Sequence, residues 1–135
     1  MSRWNPWGAL RARERARLHF RAVHPSAGRG YVIVAGDIEL IVLHHDLDQV
    51  ERRAGLAHEL VHLERGVPPA DCPPLLLAKE EAAVRKETAL RLVPLDELRV
   101  FVNARADLGP VTARDVCEEF GVPTDVALEA MRRVA

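Results

Sequence analysis

The sequence predicts a single α+β domain, in which a small antiparallel sheet packs on two long helices and a short helix pair closes the C-terminus. Three observations carry this prediction. The chain has 135 residues, 48% of them hydrophobic, which is enough to form one core. Two β-branched runs separated by a glycine turn occupy residues 31–43 and predict a hairpin. Two helical patterns with start and stop signals follow, at 48–66 and 75–93.

The domain is expected to span 1–135 and to have three parts. Residues 1–24 are predicted to form an N-terminal helix, opened by Asn5-Pro6 and ended by Pro25 and the glycines after it. Residues 31–93 form the central part, with the hairpin and both long helices. Residues 95–135 are predicted to be short helices, broken by glycine and proline.

Bulk composition excludes several classes of protein. The net charge of −1 gives no broad basic field that would attract nucleic acid or an anionic membrane. No run approaches 18 apolar residues and no secretory segment opens the chain, so we expect a cytoplasmic protein without a membrane partner. Cys72 and Cys117 are far apart, which favours reduced thiols over a disulfide framework.

The sequence His58-Glu59-Leu-Val-His62 is an H-E-x-x-H motif inside the first long helical pattern. Asp48 is a suitable N-cap for that helix, and Gly66 is a stop signal. Residues four apart lie one above the other on a helix, so both imidazoles face one point in space, as two zinc ligands do. Glu59 lies beside them, where it can take a proton from water without being a ligand. The alternative is a helix with two histidines that bind no metal.

A zinc hydrolase usually has a third protein ligand, and the 75–93 helix offers three glutamates. Glu81 shares one face of this helix with Leu77, Val84, Thr88 and Leu92, which are apolar except for the threonine. Because this face must bury against the core, a carboxylate there needs a cation, and we expect Glu81 to be the third ligand. Glu80 and Glu87 lie on a different face with lysines nearby, and we expect that face to be exposed to solvent. They and Asp71, in the preceding loop, are the alternatives.

Three further residues could stabilise the oxyanion of a tetrahedral intermediate. His44 and His45 close the second strand of the hairpin, just before the motif helix, and Tyr31 opens the first strand. The alternative for the two histidines is that they are ordinary polar residues at a strand end. With two histidines and a glutamate on zinc and Glu59 as general base, the expected chemistry is peptide hydrolysis, and 31–93 is then the catalytic core.

These motifs resemble those of the ImmA/IrrE family of small intracellular zinc metallopeptidases. The resemblance covers about two-thirds of the chain and rests on Leu56–His62, on Glu81 followed by Ala89–Pro94, and on Val116–Pro123. The resemblance implies a zincin-type fold and a zinc peptidase activity. The implied substrate is a helix-turn-helix transcriptional repressor. Its cleavage would permit expression of genes of a DNA-damage response or of a mobile element such as a prophage. One departure is Glu87-Thr88, which stands where the family usually has phenylalanine and alanine.

A second hypothesis, from a different class, is a non-catalytic regulator with a structural metal site. Its 112–134 helix pair would then bind DNA or a partner protein. A recognition helix needs side chains that reach bases or phosphates, and the last helical pattern has only Arg132 and Arg133 at its end. We therefore expect no direct contact with nucleic acid, and a tail that packs on the domain or docks the repressor.

Overall fold

A computed structural model describes residues 3–134; the outermost ends of the predicted 1–135 domain lie outside this range. Within it, six helices and three strands form an α+β fold, as predicted. Their bounds are α1 (Pro6–Ala12), β1 (Ala16–Arg21), β2 (Gly30–Ala35), β3 (Ile38–His44), α2 (Gln49–Arg65), α3 (Pro74–Leu92), α4 (Leu95–Ala104), α5 (Ala113–Phe120) and α6 (Thr124–Met131).

The N-terminal helix predicted over 1–24 is wrong in its second half. Helix α1 ends at Ala12, and the chain then enters strand β1. The physical reason is that apolar and polar residues alternate in this segment. Ala16, Leu18 and Phe20 pack on the core, while the residues between them are polar. A repeat of two is the period of a strand with one buried face.

The sheet is mixed, which corrects the prediction of an antiparallel sheet. Strands β2 and β3 form the predicted antiparallel hairpin, with Gly30 opposite Leu43. Strand β1 adds to the other side of β3 in parallel, from Ala16 opposite Glu39 to Arg21 opposite His44. The order β1-β3-β2 puts the most deeply buried strand in the centre and makes β2 an edge strand.

Helix α2 separates two clusters of apolar side chains. On one side Leu56, Leu60 and Leu63 pack against Ile41 and Leu43 of β3. These β3 residues are two apart and therefore share one face of the sheet. The helix begins where the sequence predicted, because Asp48 caps it by accepting a hydrogen bond of 2.8 Å from the amide of Glu51.

The second cluster joins α2 to the helices that follow it. Ala54 and Ala57 of α2 and Ala89 of α3 belong to a buried group with side chains from α4, α5 and α6. Helix α5 begins with a capping box, formed by Thr112 and Asp115. The N-cap of α6 is Pro123, and Thr124 is its first helical residue. This packing brings α6 alongside α3.

Candidate metal centre

Helix α2 brings His58 and His62 together on the face that the motif predicts. Their ring centroids are 5.0 Å apart, with the ring planes at 67°. In both residues Nε2 is the nitrogen directed toward the same carboxylate. Both side chains are partly buried, since α3 covers this face of α2.

That carboxylate belongs to Glu81 of α3. Its Oε1 lies 2.6 Å from Nε2 of His58, and its Oε2 lies 2.9 Å from Nε2 of His62. The other glutamates of the helix have different partners. Glu80 accepts two hydrogen bonds from Arg65, of 2.6 and 3.0 Å, and Glu87 accepts one of 2.7 Å from Arg91.

The fourth candidate ligand, Asp71, is exposed in the turn before α3 and does not line the cleft at this site. The structure therefore brings Glu81, rather than Asp71, Glu80 or Glu87, to the two histidines. This is the choice that the helical face of residues 75–93 favoured.

Hydrogen bonding holds the Glu81 carboxylate in its charged form. The bonds with His58 and then His62 lower the pKa of Glu81 far below its usual range, although half-burial acts in the opposite direction. For His62, burial alone would lower the pKa, but the hydrogen bond to Glu81 and the nearby Glu59 carboxylate together raise it. The site is therefore strongly polar, with negative charge supplied by α3.

Glu59 is the most deeply buried carboxylate at the site, with only 4% of its surface exposed. Burial raises its pKa, and the neighbouring His58 and His62 offset only part of that effect. No hydrogen bond within residues 3–134 contributes to the pKa of Glu59. Glu59 lines the same cleft as the two histidines.

The donor set fits a zinc ion. Two imidazole nitrogens and a carboxylate oxygen are a usual ligand set of catalytic zinc, and all three donor atoms lie within 4.8 Å of one another. Tetrahedral zinc with bonds of about 2.0 Å puts neighbouring donors about 3.3 Å apart. The observed 2.6 and 2.9 Å differ from this by roughly half an ångström, which side-chain rotation of Glu81 can supply.

The three residues open into a cleft of about 830 Å³ between α2, α3, α6 and the edge strand β2. Tyr31, one of the candidate stabilisers, lines this cleft and is 39% exposed. His44 and His45 do not line it. The Nδ1 of His44 accepts a hydrogen bond of 3.1 Å from the amide of Asp46, so His44 closes the turn after β3.

His44, His45 and Asp46 form a second group of potential metal ligands in the described part of the chain. The group is open to solvent: His45 and Asp46 are exposed and His44 is only partly buried. It lies at the end of β3, outside the cleft that holds His58 and His62.

Several residues that line the cleft were not predicted from the sequence as functional residues. Arg85 and Thr88 of α3 line it, and so do Asp125 and Glu129 of α6. A signal for the first two was present, because they follow Glu81 by four and seven residues and therefore share its helical face. No such signal existed for α6, whose position beside α3 follows from tertiary packing.

Comparisons with known proteins returned nothing that identifies this chain: no family model, no curated protein and no solved structure matches it. Within residues 3–134, no helix combines the length and the apolar composition that crossing a membrane requires. The geometry of the site is therefore the basis for assigning a function.

Proposed function

We propose that this chain is a zinc-dependent peptidase, with His58, His62 and Glu81 as metal ligands and Glu59 as general base. One observation carries the proposal: a glutamate 23 positions beyond His58 meets both histidines of the motif, and the buried Glu59 carboxylate opens into the same cleft. A purely structural zinc site is usually closed by four protein ligands, whereas residues 3–134 supply three ligands here, with a cleft beside them.

Each residue has a defined part in the proposed reaction. A zinc ion held at this site would supply a Lewis acid, which lowers the pKa of water and polarises a carbonyl group. Glu59 accepts the proton of the attacking water and returns it to the leaving amine. Its burial keeps this carboxylate desolvated. Tyr31 lines the wall of the cleft, and in the proposed reaction its hydroxyl donates a hydrogen bond to the oxyanion.

The shape of the cleft favours an extended peptide as substrate. Strand β2 is an edge of the sheet, and its residues 30–32 form one wall of the cleft. An edge strand has unpaired amide and carbonyl groups, which a peptide can pair with by adding to the sheet. A peptide bound in this way would pass the motif histidines.

The finer parts of the proposal rest on the resemblance to ImmA/IrrE peptidases. By that resemblance, the chain is a site-specific endopeptidase that cleaves a helix-turn-helix repressor in the cytoplasm, releasing genes of a DNA-damage response or a mobile element. Direct contact with nucleic acid is not part of the proposal. In keeping with this, Arg132 and Arg133 both pair with Glu129, at 3.0 and 3.4 Å.

The metal ligands are tested by measuring bound zinc with mass spectrometry on protein purified without added metal. We expect near-stoichiometric zinc in the wild type and its loss in His58→Ala and Glu81→Ala. The matched control is Glu80→Ala, which removes a neighbouring carboxylate that pairs with Arg65. Zinc retained in Glu81→Ala would move the third ligand to another residue, and a metal-free wild type after zinc reconstitution would overturn the proposal.

Catalysis is tested separately with Glu59→Gln, which keeps the shape of the side chain and removes the base. We expect this variant to bind zinc like the wild type and to lose cleavage of a repressor encoded beside it by at least about a hundredfold. If the zinc-loaded wild type and the zinc-loaded Glu59→Gln variant have the same effect on the repressor, the result would favour the non-catalytic regulator.

A further inference from the structure

Beyond Glu81, the cleft continues along α3 toward α6, and two polar residues of α3 line this extension. Arg85 is one turn beyond Glu81, and Thr88 is almost two turns beyond it. Residues three apart on a helix have neighbouring side chains, so Arg85 and Thr88 form a pair on the cleft wall. The proposed catalytic machinery uses neither residue.

The hydroxyl group of Thr88 is buried in the structure. The residue is 3% exposed, and its Oγ1 makes no hydrogen bond with any described residue. Helical threonines commonly donate to the carbonyl three or four residues before them, and Thr88 does not. An unpaired buried hydroxyl destabilises the folded state, and a ligand that accepts its hydrogen bond would offset that cost.

Arg85 is the cation of the cleft that lacks an acidic partner within residues 3–134. The other two arginines of the cleft are paired: Arg29 binds Asp125 at 2.7 Å, and Arg132 binds Glu129 at 3.0 Å. Both carboxylates of α6 that line the cleft are thereby neutralised. The exposed guanidinium of Arg85 is left as the uncompensated charge of this extension.

We propose that Arg85 and Thr88 form a substrate subsite that binds a carboxylate group, and so make the cleavage specific for an acidic position. The guanidinium donates charge-assisted hydrogen bonds to the carboxylate oxygens. The Thr88 hydroxyl, whose Oγ1 is closed to solvent in the structure, turns toward the cleft by rotation about χ1 and donates to one of these oxygens. The carboxylate belongs either to an acidic side chain near the scissile bond or to the C-terminus of the substrate. This inference rests on the proposed peptidase function for its substrate, but the binding site itself does not require catalysis.

Binding is tested by nuclear magnetic resonance titration of the ¹⁵N-labelled, zinc-treated Glu59→Gln chain. The probes are N-acetylglutamate α-amide, its neutral isostere N-acetylglutamine amide, and N-acetylalanine, whose only carboxylate is terminal. We expect one carboxylate probe to bind at least about tenfold more tightly than the neutral probe, with shifts centred on residues 84–89. The tighter of the two carboxylate probes identifies the source of the carboxylate.

Variants separate the subsite from general charge attraction. Arg85→Gln should abolish the preference for the carboxylate, Thr88→Val should weaken it about threefold, and Thr88→Ser should retain it. The matched control is Lys86→Gln, which removes the same charge from the next, exposed residue outside the cleft. Equal binding of the charged and neutral probes, or equal losses in Arg85→Gln and Lys86→Gln, would overturn the subsite.

A cleavage profile on a proteome-derived peptide library distinguishes this inference from the function on which it rests. The wild type should enrich acidic residues or free C-termini at one position, and Arg85→Glu should replace that preference with lysine or arginine. Cleavage without any acidic preference would overturn the subsite and keep the peptidase. Carboxylate binding in the titration without any cleavage would keep the subsite and overturn the peptidase.

Discussion

Replacing Gly30 with alanine should destabilise the fold sharply, because β2 approaches β3 too closely for a side chain. A Cβ built at Gly30 lies 2.1 Å from the carbonyl oxygen of Val42 and 2.8 Å from a methyl group of Leu43. The carbonyl is backbone and cannot rotate away. Overpacking of this kind costs about 1 to 3 kcal/mol, and the backbone clash favours the upper end. For a domain of this size, roughly 3 kcal/mol lowers Tm by about 10 °C.

Differential scanning calorimetry of Gly30→Ala and Gly8→Ala tests this reasoning. Gly8 lies in α1, and a Cβ there meets nothing nearer than 3.8 Å. Alanine is the better helix former, so Gly8→Ala should raise the free energy of unfolding by about 0.5 to 1 kcal/mol and Tm by a few degrees. Opposite signs are expected for the two variants. A Gly30→Ala protein as stable as the wild type would refute the close approach of the strands.

Three further outcomes follow from the structure. Arg13 donates hydrogen bonds of 2.6 and 2.9 Å to the carboxylate of Glu39 and lowers the pKa of Glu39. The pair therefore stabilises the fold at pH values above the ordinary pKa of glutamate, and this stabilisation is lost as the pH falls through the lowered pKa. Chemical denaturation should show Glu39→Gln about 1 kcal/mol less stable than the wild type at pH 7, a gap that closes toward pH 3. By the same assay, Leu98→Ala, at a fully buried position, should cost about 3 kcal/mol, whereas Leu108→Ala, at a position 75% exposed, should stay within about 0.5 kcal/mol. Removing zinc with a chelator should lower the Tm of the wild type by about 10 °C and leave that of His58→Ala unchanged; equal shifts would contradict the assigned site.

Prediction from the sequence succeeded for features that depend on residues close together in the chain. The spacing of His58 and His62 fixes their common face once the segment is helical, and the cap at Asp48 begins that helix where it was expected. The choice of Glu81 over its neighbours also came from one helix alone, since its periodicity separates a buried face from a solvated one. The structure brings Glu81 to the histidines, and its role as a metal ligand stays a prediction. The hairpin of β2 and β3 followed from two β-branched runs with a short turn.

The missed elements depend on partners that are distant along the chain. Residues 16–21 have a strand alternation, but only pairing with β3 makes β1 a strand, and that pairing is parallel. Arg85 and Thr88 were visible on the face of Glu81, yet their surroundings are set by α6, which lies more than 30 residues later. Short amphipathic segments do not specify which neighbour they will pack against.

The sequence by itself determined an α+β domain with a helical H-E-x-x-H motif and a glutamate on the buried face of the next long helix. Tertiary structure alone decided that Glu81 reaches both histidines, that His44 and His45 lie outside the cleft, and that the cleft continues to α6. The physical reason is range. Periodicity and capping act within a few residues, whereas the packing of α3 against α2 and α6 is decided by side chains throughout the core.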